Sequence, residues 1–175
     1  ALCVRHRDPF AAAAIDVAAQ VEAPDPLIAA LAQVIDDPDT PIDELIPLSD
    51  RFPRASHRLA DLAARLAERM VGAYRPLAVN NPGRYRVGLA VALHRLAYWL
   101  ADLGRRADAL AAIAEAVDIF RDLAEVDRER YRPDLALTLN DLAVSLAAAG
   151  RTGPALATIG EAVALLRELA GTDPL

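Results

Sequence analysis

The sequence has no lysine, one cysteine and few aromatic residues, and each shortage argues against a class of protein. All 19 cationic side chains are arginines, and with 25 acidic residues they give a net charge of −6, which argues against a general nucleic-acid binder. The single Cys3 cannot form an internal disulfide, which favours a reducing, cytoplasmic compartment. No apolar run approaches the ~20 residues needed to span a bilayer, so we expect no membrane insertion.

Alanine and leucine dominate what is there. Apolar residues make up 54% of the chain, which is enough to bury a core. Alanine and leucine lose little free energy on entering a helix, so the composition favours an all-α fold. Abundant alanine and arginine without lysine are typical of GC-rich genomes, and we therefore expect a bacterial source.

The second half of the chain contains a repeat with a 46-residue period. The segment YRVGLAVALHRLAYWLADLGR (85–105) aligns with YRPDLALTLNDLAVSLAAAGR (131–151), and the alignment continues past the glycine of each. Each copy predicts two helices. In the second copy, Gly150 ends the first helix in a left-handed conformation and Pro133 lies near its start. The leucine stripe of that helix follows 4-3-4 spacing at Leu135, Leu139, Leu142 and Leu146.

Small and apolar residues define the second helix of each copy. Ala109 and Ala116, matched by Ala155 and Ala162, predict a close approach of the paired helices. The predicted stripe of the last helix comprises Ala155, Ile159, Ala162, Val163 and Leu166. Such pairs bury their apolar faces only by stacking, which predicts a helical-repeat solenoid.

The whole chain is divided into four parts on this basis. Residues 1–40 predict an N-terminal helical pair, and 41–81 a degenerate helical repeat that opens with a short helix near 40–53. Residues 82–127 and 128–175 are the two full repeats, which gives an all-α array of about seven antiparallel helices. No polar cap follows the last helix, so we expect this end to be truncated or to meet another chain.

The two full repeats resemble tetratricopeptide repeats (TPR). The resemblance rests on Leu93, Leu96-Ala97, Leu100, Gly104, Ala109 and Ala116, and on their counterparts 46 residues later. The long period and Asn140 resemble the extended subtype of kinesin light chains and actinobacterial signalling proteins. The resemblance implies a protein or peptide partner and a place in a larger STAND-type signalling protein, behind a switch ATPase or a protease-like effector.

The concave side of such a solenoid is lined by the first helix of each repeat. Asn140 can hydrogen-bond a peptide backbone with both its N–H and its C=O, and His94 and Tyr98 at i and i+4 can touch one ligand. The alternative is that these residues are solvated or cover another segment of the same protein. A helical wheel predicts that seven residues line this concave groove: Val91, His94, Tyr98, Asp102, Leu137, Asn140 and Val144.

Residues for catalysis or cofactor binding do not converge in the sequence. His6, His57 and His94 have no second ligand at metal-binding spacing, and no phosphate-binding or dinucleotide glycine motif is present. We therefore expect no catalytic residue, no metal and no cofactor. An enzyme would instead need a pocket near the N-terminal helices that gathers Asp50, Arg54 and His57.

Two further predictions concern Trp99 and the arginines. The wheel places Trp99 in the core, away from the groove. The arginines at the inter-helix turns are expected to neutralise nearby acidic residues and to cap helices; a nucleic-acid binder would need them on one continuous face. The sequence thus predicts a non-enzymatic interaction or scaffold module. The resemblance implies that this module has a sensor or autoregulatory role in a larger protein. A homo-oligomer through the C-terminal end is the alternative.

Overall fold

The computed structural model describes residues 7–18, 20, 25–53 and 57–172, and this part of the chain is helical without any strand. About seven helices were expected, and the described residues form eight α-helices together with a 3-10 turn at His57–Leu59. The all-α helical-repeat prediction is confirmed. The helices are α1 (Arg7–Ala18), α2 (Asp25–Asp36), α3 (Ile42–Ser49), α4 (Ala60–Asn80), α5 (Pro82–Asp102), α6 (Arg106–Val126), α7 (Arg128–Ala148) and α8 (Thr152–Thr172).

The chain divides into two compact units, residues 1–73 and 74–175. The core of the first unit is built from aliphatic side chains that are almost completely buried. Arg69 of α4 donates hydrogen bonds to the carbonyl oxygens of Ile35 and Thr40, next to the end of α2, where carbonyls lack intrahelical partners. The short helix expected near 40–53 is α3. The core residues are Ile15, Leu31, Ile35, Leu45, Leu48, Leu59, Leu62 and Leu66.

The second unit contains two helical hairpins whose helices begin and end 46 residues apart. The first helices are α5 and α7, the second helices are α6 and α8, and each of the four has 21 residues. Consecutive helices of this set pack against each other along the chain. The two look-alike sequence segments therefore fold alike, as the repeat predicted.

Glycines end both first helices, as the sequence predicted for Gly150. Gly104 has φ 76° and Gly150 has φ 74°, the left-handed region in which glycine has no steric penalty. The N–H of Arg105 donates to the carbonyl of Leu100 at 2.8 Å, and that of Arg151 donates to the carbonyl of Leu146 at 2.9 Å. These bonds satisfy carbonyls that the helix end would otherwise leave without partners.

The leucine stripes and the small residues form the core of the second unit. Ala109, Ala116, Ala155 and Ala162 are buried, in agreement with a close approach of the helices. Trp99 is buried too, which confirms its predicted core position. Leu142 is half-buried, whereas the other stripe leucines are buried: Leu89, Leu93, Leu96, Leu100, Leu135, Leu139 and Leu146.

Two details of the last hairpin differ from the prediction. Pro133 is not at the start of α7 but is its sixth residue, because the carboxylate of Asp127 accepts the N–H of Arg130 at 3.2 Å and caps the helix earlier. The predicted stripe of α8 is only partly buried. Val163 and Leu166 are exposed, because α8 packs mainly on α7 and no described helix follows it.

Candidate partner-binding face

The predicted groove residues lie on α5 and α7, the two first helices of the second unit. Six of them form three pairs with the same 46-residue offset: Val91 with Leu137, His94 with Asn140, and Tyr98 with Val144. The seventh, Asp102, is half-buried at the end of α5. We call these seven residues, together with Asp141, the α5–α7 face.

Apolar side chains on this face are exposed to solvent. Tyr98 is 38% exposed, Leu137 54% and Val144 61%, whereas Val91 is half-buried. Leucine and valine side chains gain free energy when they leave water, so burial of Leu137 and Val144 by a partner would be favourable.

A polar cluster lies between the apolar positions and joins the two helices. His94 Nε2 lies 2.6 Å from Asp141 Oδ2, and Asn140 Nδ2 donates to Asp141 Oδ1 at 3.2 Å. With its proton on Nε2, the His94 ring donates to the carboxylate, and a hydrogen bond to a charged acceptor is stronger than a neutral one. Asp141 thus holds α5 and α7 together through His94.

Asp141 is the residue of this face that sequence reasoning missed. It lies 47 residues after His94, one position beyond the repeat offset, and the matching position of the first copy is Arg95. This exchange of a cation for a carboxylate between copies is the signal that could have singled it out. His94 is therefore bonded between the repeats, and the sharing of one ligand by His94 and Tyr98 stays a prediction.

Asn140 keeps part of its hydrogen-bonding capacity. One amide hydrogen is directed to Asp141, which leaves the second one and the carbonyl oxygen without a partner among the described residues. A primary amide with one donor and one acceptor remaining can pair with a peptide group. The predicted use of both groups of Asn140 stays a prediction.

The ring of Tyr98 packs on the buried Trp99. Their centroids are 4.9 Å apart and the rings are nearly perpendicular, at 86°, which is a favoured aromatic arrangement. Trp99 belongs to the core, so this contact restricts the Tyr98 ring on the exposed side of α5. An aromatic side chain held in place loses less entropy when it contacts a partner.

The arginines at the turns have several kinds of contact. Arg105 pairs with Asp108 at 2.9 Å and Arg86 pairs with Asp122, in agreement with the predicted neutralisation. Arg84 and Arg130, 46 residues apart, lie over the rings of Tyr85 and Tyr131.

The structure describes only some of the residues considered for a catalytic pocket or a metal site. His57 and Asp50 are exposed, while Arg54, Cys3 and His6 lie outside the described residues. Within the described ranges no group of three or more His, Cys, Asp or Glu could hold a metal ion. No helix of the described part is long and apolar enough to cross a membrane.

Residues 89–129 match the family model of the tetratricopeptide repeat. The matched residues run from within α5, through α6, to the first residues of α7. No curated protein and no solved structure matches the chain. The match and the helical hairpins together support a TPR-type protein.

Proposed function

We propose that this chain is a non-enzymatic protein–protein interaction module that holds a segment of a partner on the α5–α7 face. Tetratricopeptide repeats generally mediate protein–protein interactions, which supports the class of function. The single observation that carries the proposal is the exposure of Tyr98, Leu137 and Val144 around the polar cluster of His94, Asp141 and Asn140.

The spacing on α7 indicates what kind of segment would fit. Leu137 and Val144 are seven residues apart, about 10 Å along the helix axis. Three residues of a polyproline-type extended peptide span about 9 Å and return to the same side. We therefore expect an extended segment with apolar side chains at i and i+3, whose backbone pairs with Asn140 between them.

Affinity capture followed by a binding measurement tests the proposal. Proteins retained from a lysate by the wild-type chain are identified, and the affinity of each is then measured by calorimetry for the wild type and for three variants. Leu137→Glu, Tyr98→Ala and Asn140→Ala should weaken the true partner at least about tenfold, since contact residues at the centre of an interface carry most of its affinity.

Val126→Glu provides the matched control. Val126 is an exposed apolar residue at the end of α6, away from the α5–α7 face, so the same kind of change there should leave the affinity unaltered. Equal affinities for the wild type, Leu137→Glu and Asn140→Ala would refute the proposal.

A second candidate function is assembly through the outer face of α8, defined here as Leu156, Ile159, Val163 and Leu166. The favouring observation is that three of these four side chains are exposed. The predicted homo-oligomer through this end is one form of such assembly. Light scattering across a concentration series tests it, and a strict monomer at high concentration would contradict a homo-oligomer.

The resemblance and composition support a finer proposal about context. We propose a bacterial, cytoplasmic signalling protein in which these repeats sense a ligand or hold a switch closed, with no nucleic-acid partner. Sequencing the complete gene would test the domain context, and a binding assay in low salt would test nucleic acid. Tight, salt-sensitive binding to DNA or RNA would contradict that exclusion.

A further inference from the structure

Arginine–glutamate pairs connect α4 to α6 and α6 to α8 at a constant interval. Arg75 of α4 pairs with Glu115 of α6 at 2.7 Å, and Arg121 of α6 pairs with Glu161 of α8 at 2.7 Å. Each arginine precedes its glutamate by 40 residues, and the second pair lies 46 residues after the first. The next arginine in this series is Arg167, on α8.

Arg167 has no ion-pair partner among the described residues, and its side chain is exposed. The repeat thus provides a third arginine, Arg167, but the described residues include no third glutamate at the same interval to pair with it. A glutamate that completes the series would have to come from a further helix, as Glu115 of α6 reaches Arg75 of α4 and Glu161 of α8 reaches Arg121 of α6.

The apolar residues of α8 lead to the same conclusion. Val163 is 38% exposed, but its counterpart Val117 on α6 is fully buried; Leu166 is 52% exposed, but its counterpart Phe120 is 2% exposed. Helix α6 lies between α5 and α7, whereas α8 packs mainly on α7. The difference arises because no described helix covers α8 in the way that α7 covers α6.

The helix that covers α6 defines what would cover α8. Helix α7 supplies buried leucines at Leu135, Leu139 and Leu146, and the hairpin it begins supplies Glu161 to Arg121. We propose that the outer face of α8 binds a further helical repeat of this same design. Its first helix carries a leucine stripe, and its second helix carries a carboxylate that pairs with Arg167. This inference rests on the second candidate function.

The charges distinguish this occupant from a second copy of α8. If two α8 helices packed face to face, Arg167 would need a carboxylate from the other α8. Glu161 and Glu168 of α8 already pair with Arg121 and Arg132, each at 2.7 Å. A stacked repeat supplies both the leucines and the missing carboxylate, whereas a second α8 supplies only apolar residues.

Extension of the full chain by one more repeat tests the inference. A copy of residues 128–173 is appended after Asp173, so that the 46-residue register continues. Burial of Val163 and Leu166 should raise the melting temperature by at least about 4 °C. The amide hydrogens of α8 should exchange at least about tenfold more slowly than in the unextended chain, because opening α8 would then also break the new contacts.

Charge reversal tests the pairing of Arg167 itself. Arg167→Glu should lower the melting temperature of the extended chain by about 2 °C, and should change that of the unextended chain by less than about 1 °C. Replacing the copied counterpart of Glu161 by arginine should restore the loss. Arg151→Glu, at an exposed arginine in the turn before α8, is the matched control and should have no such context dependence.

The following results would overturn the inference. The first appended repeat could fail to fold, so a second extended chain carries a copy of residues 82–127 instead. If neither extension raises the melting temperature, the proposal is refuted. If Arg167→Glu changes the melting temperatures of the extended and the unextended chain equally, the proposed ion pair of Arg167 is refuted. If the unextended chain forms a dimer and Leu166→Glu dissociates it, the outer face of α8 binds a second copy of the chain. The proposal of assembly through α8 would then be supported, and the proposal of a further repeat on α8 would be refuted.

Discussion

Replacing Gly150 by alanine should destabilise the second unit through the backbone alone. Gly150 has φ 74°, and a Cβ added there would meet no atom within 4 Å. The cost is therefore the left-handed conformation of alanine, about 1–2 kcal/mol, less the entropy that alanine removes from the unfolded chain. We expect a net loss of about 1 kcal/mol, or about 2–4 °C in melting temperature for a chain of this length.

Gly160 provides a control of opposite sign. It lies inside α8, and a Cβ there also meets nothing within 4 Å. Alanine in a helix interior is better than glycine by about 1 kcal/mol, so Gly160→Ala should raise the melting temperature. Circular dichroism at the helix band should separate the two variants by about 4–8 °C. If Gly150→Ala melts at or above the wild type, the argument from backbone conformation is refuted.

Three further predictions concern side chains of the second unit. A double-mutant cycle with His94→Ala and Asp141→Ala, followed by urea unfolding, should give a coupling of about 1 kcal/mol; additive effects would contradict a bond between the two helices. Leu139→Ala, at a completely buried position, should cost about 2–5 kcal/mol by calorimetry, and a loss under 1 kcal/mol would contradict its core role. Gly88→Ala would place a Cβ 2.9 Å from the Tyr74 ring and should cost about 1–3 kcal/mol by the same measurement, unless Tyr74→Ala is present as well.

The fold of the second unit could be predicted because its signals are local and occur twice. Leucine spacing places the buried face of each first helix, and Gly104 and Gly150 mark the ends of those helices through a backbone requirement that few residues meet. The start of α7 could not be placed as well. Proline favours the first helical position, which suggests a start near Pro133, but the Asp127 cap starts α7 at Arg128.

The α5–α7 face could be predicted in outline but not in its contacts. The helical period places His94, Tyr98, Leu137 and Val144 on one side, and Tyr98, Leu137 and Val144 are indeed exposed. The bond between His94 and Asp141 depends instead on the side-chain conformations of residues on two neighbouring helices, which periodicity does not specify. The division of the chain at 40, 81 and 127 and the partner-binding role of these residues stay predictions.

The short sequence separations within the second unit have a consequence for how it folds. The ion pairs that join α4 to α6, α5 to α6, α5 to α7 and α6 to α8 connect residues 36 to 47 positions apart. Closing such short loops costs little entropy, and chains dominated by near contacts fold fast. Each hairpin can therefore form during synthesis soon after its second helix leaves the ribosome. Among the described helices α5 to α8, α8 packs mainly on α7, so in this chain its amide hydrogens should exchange faster than those of α5 to α7.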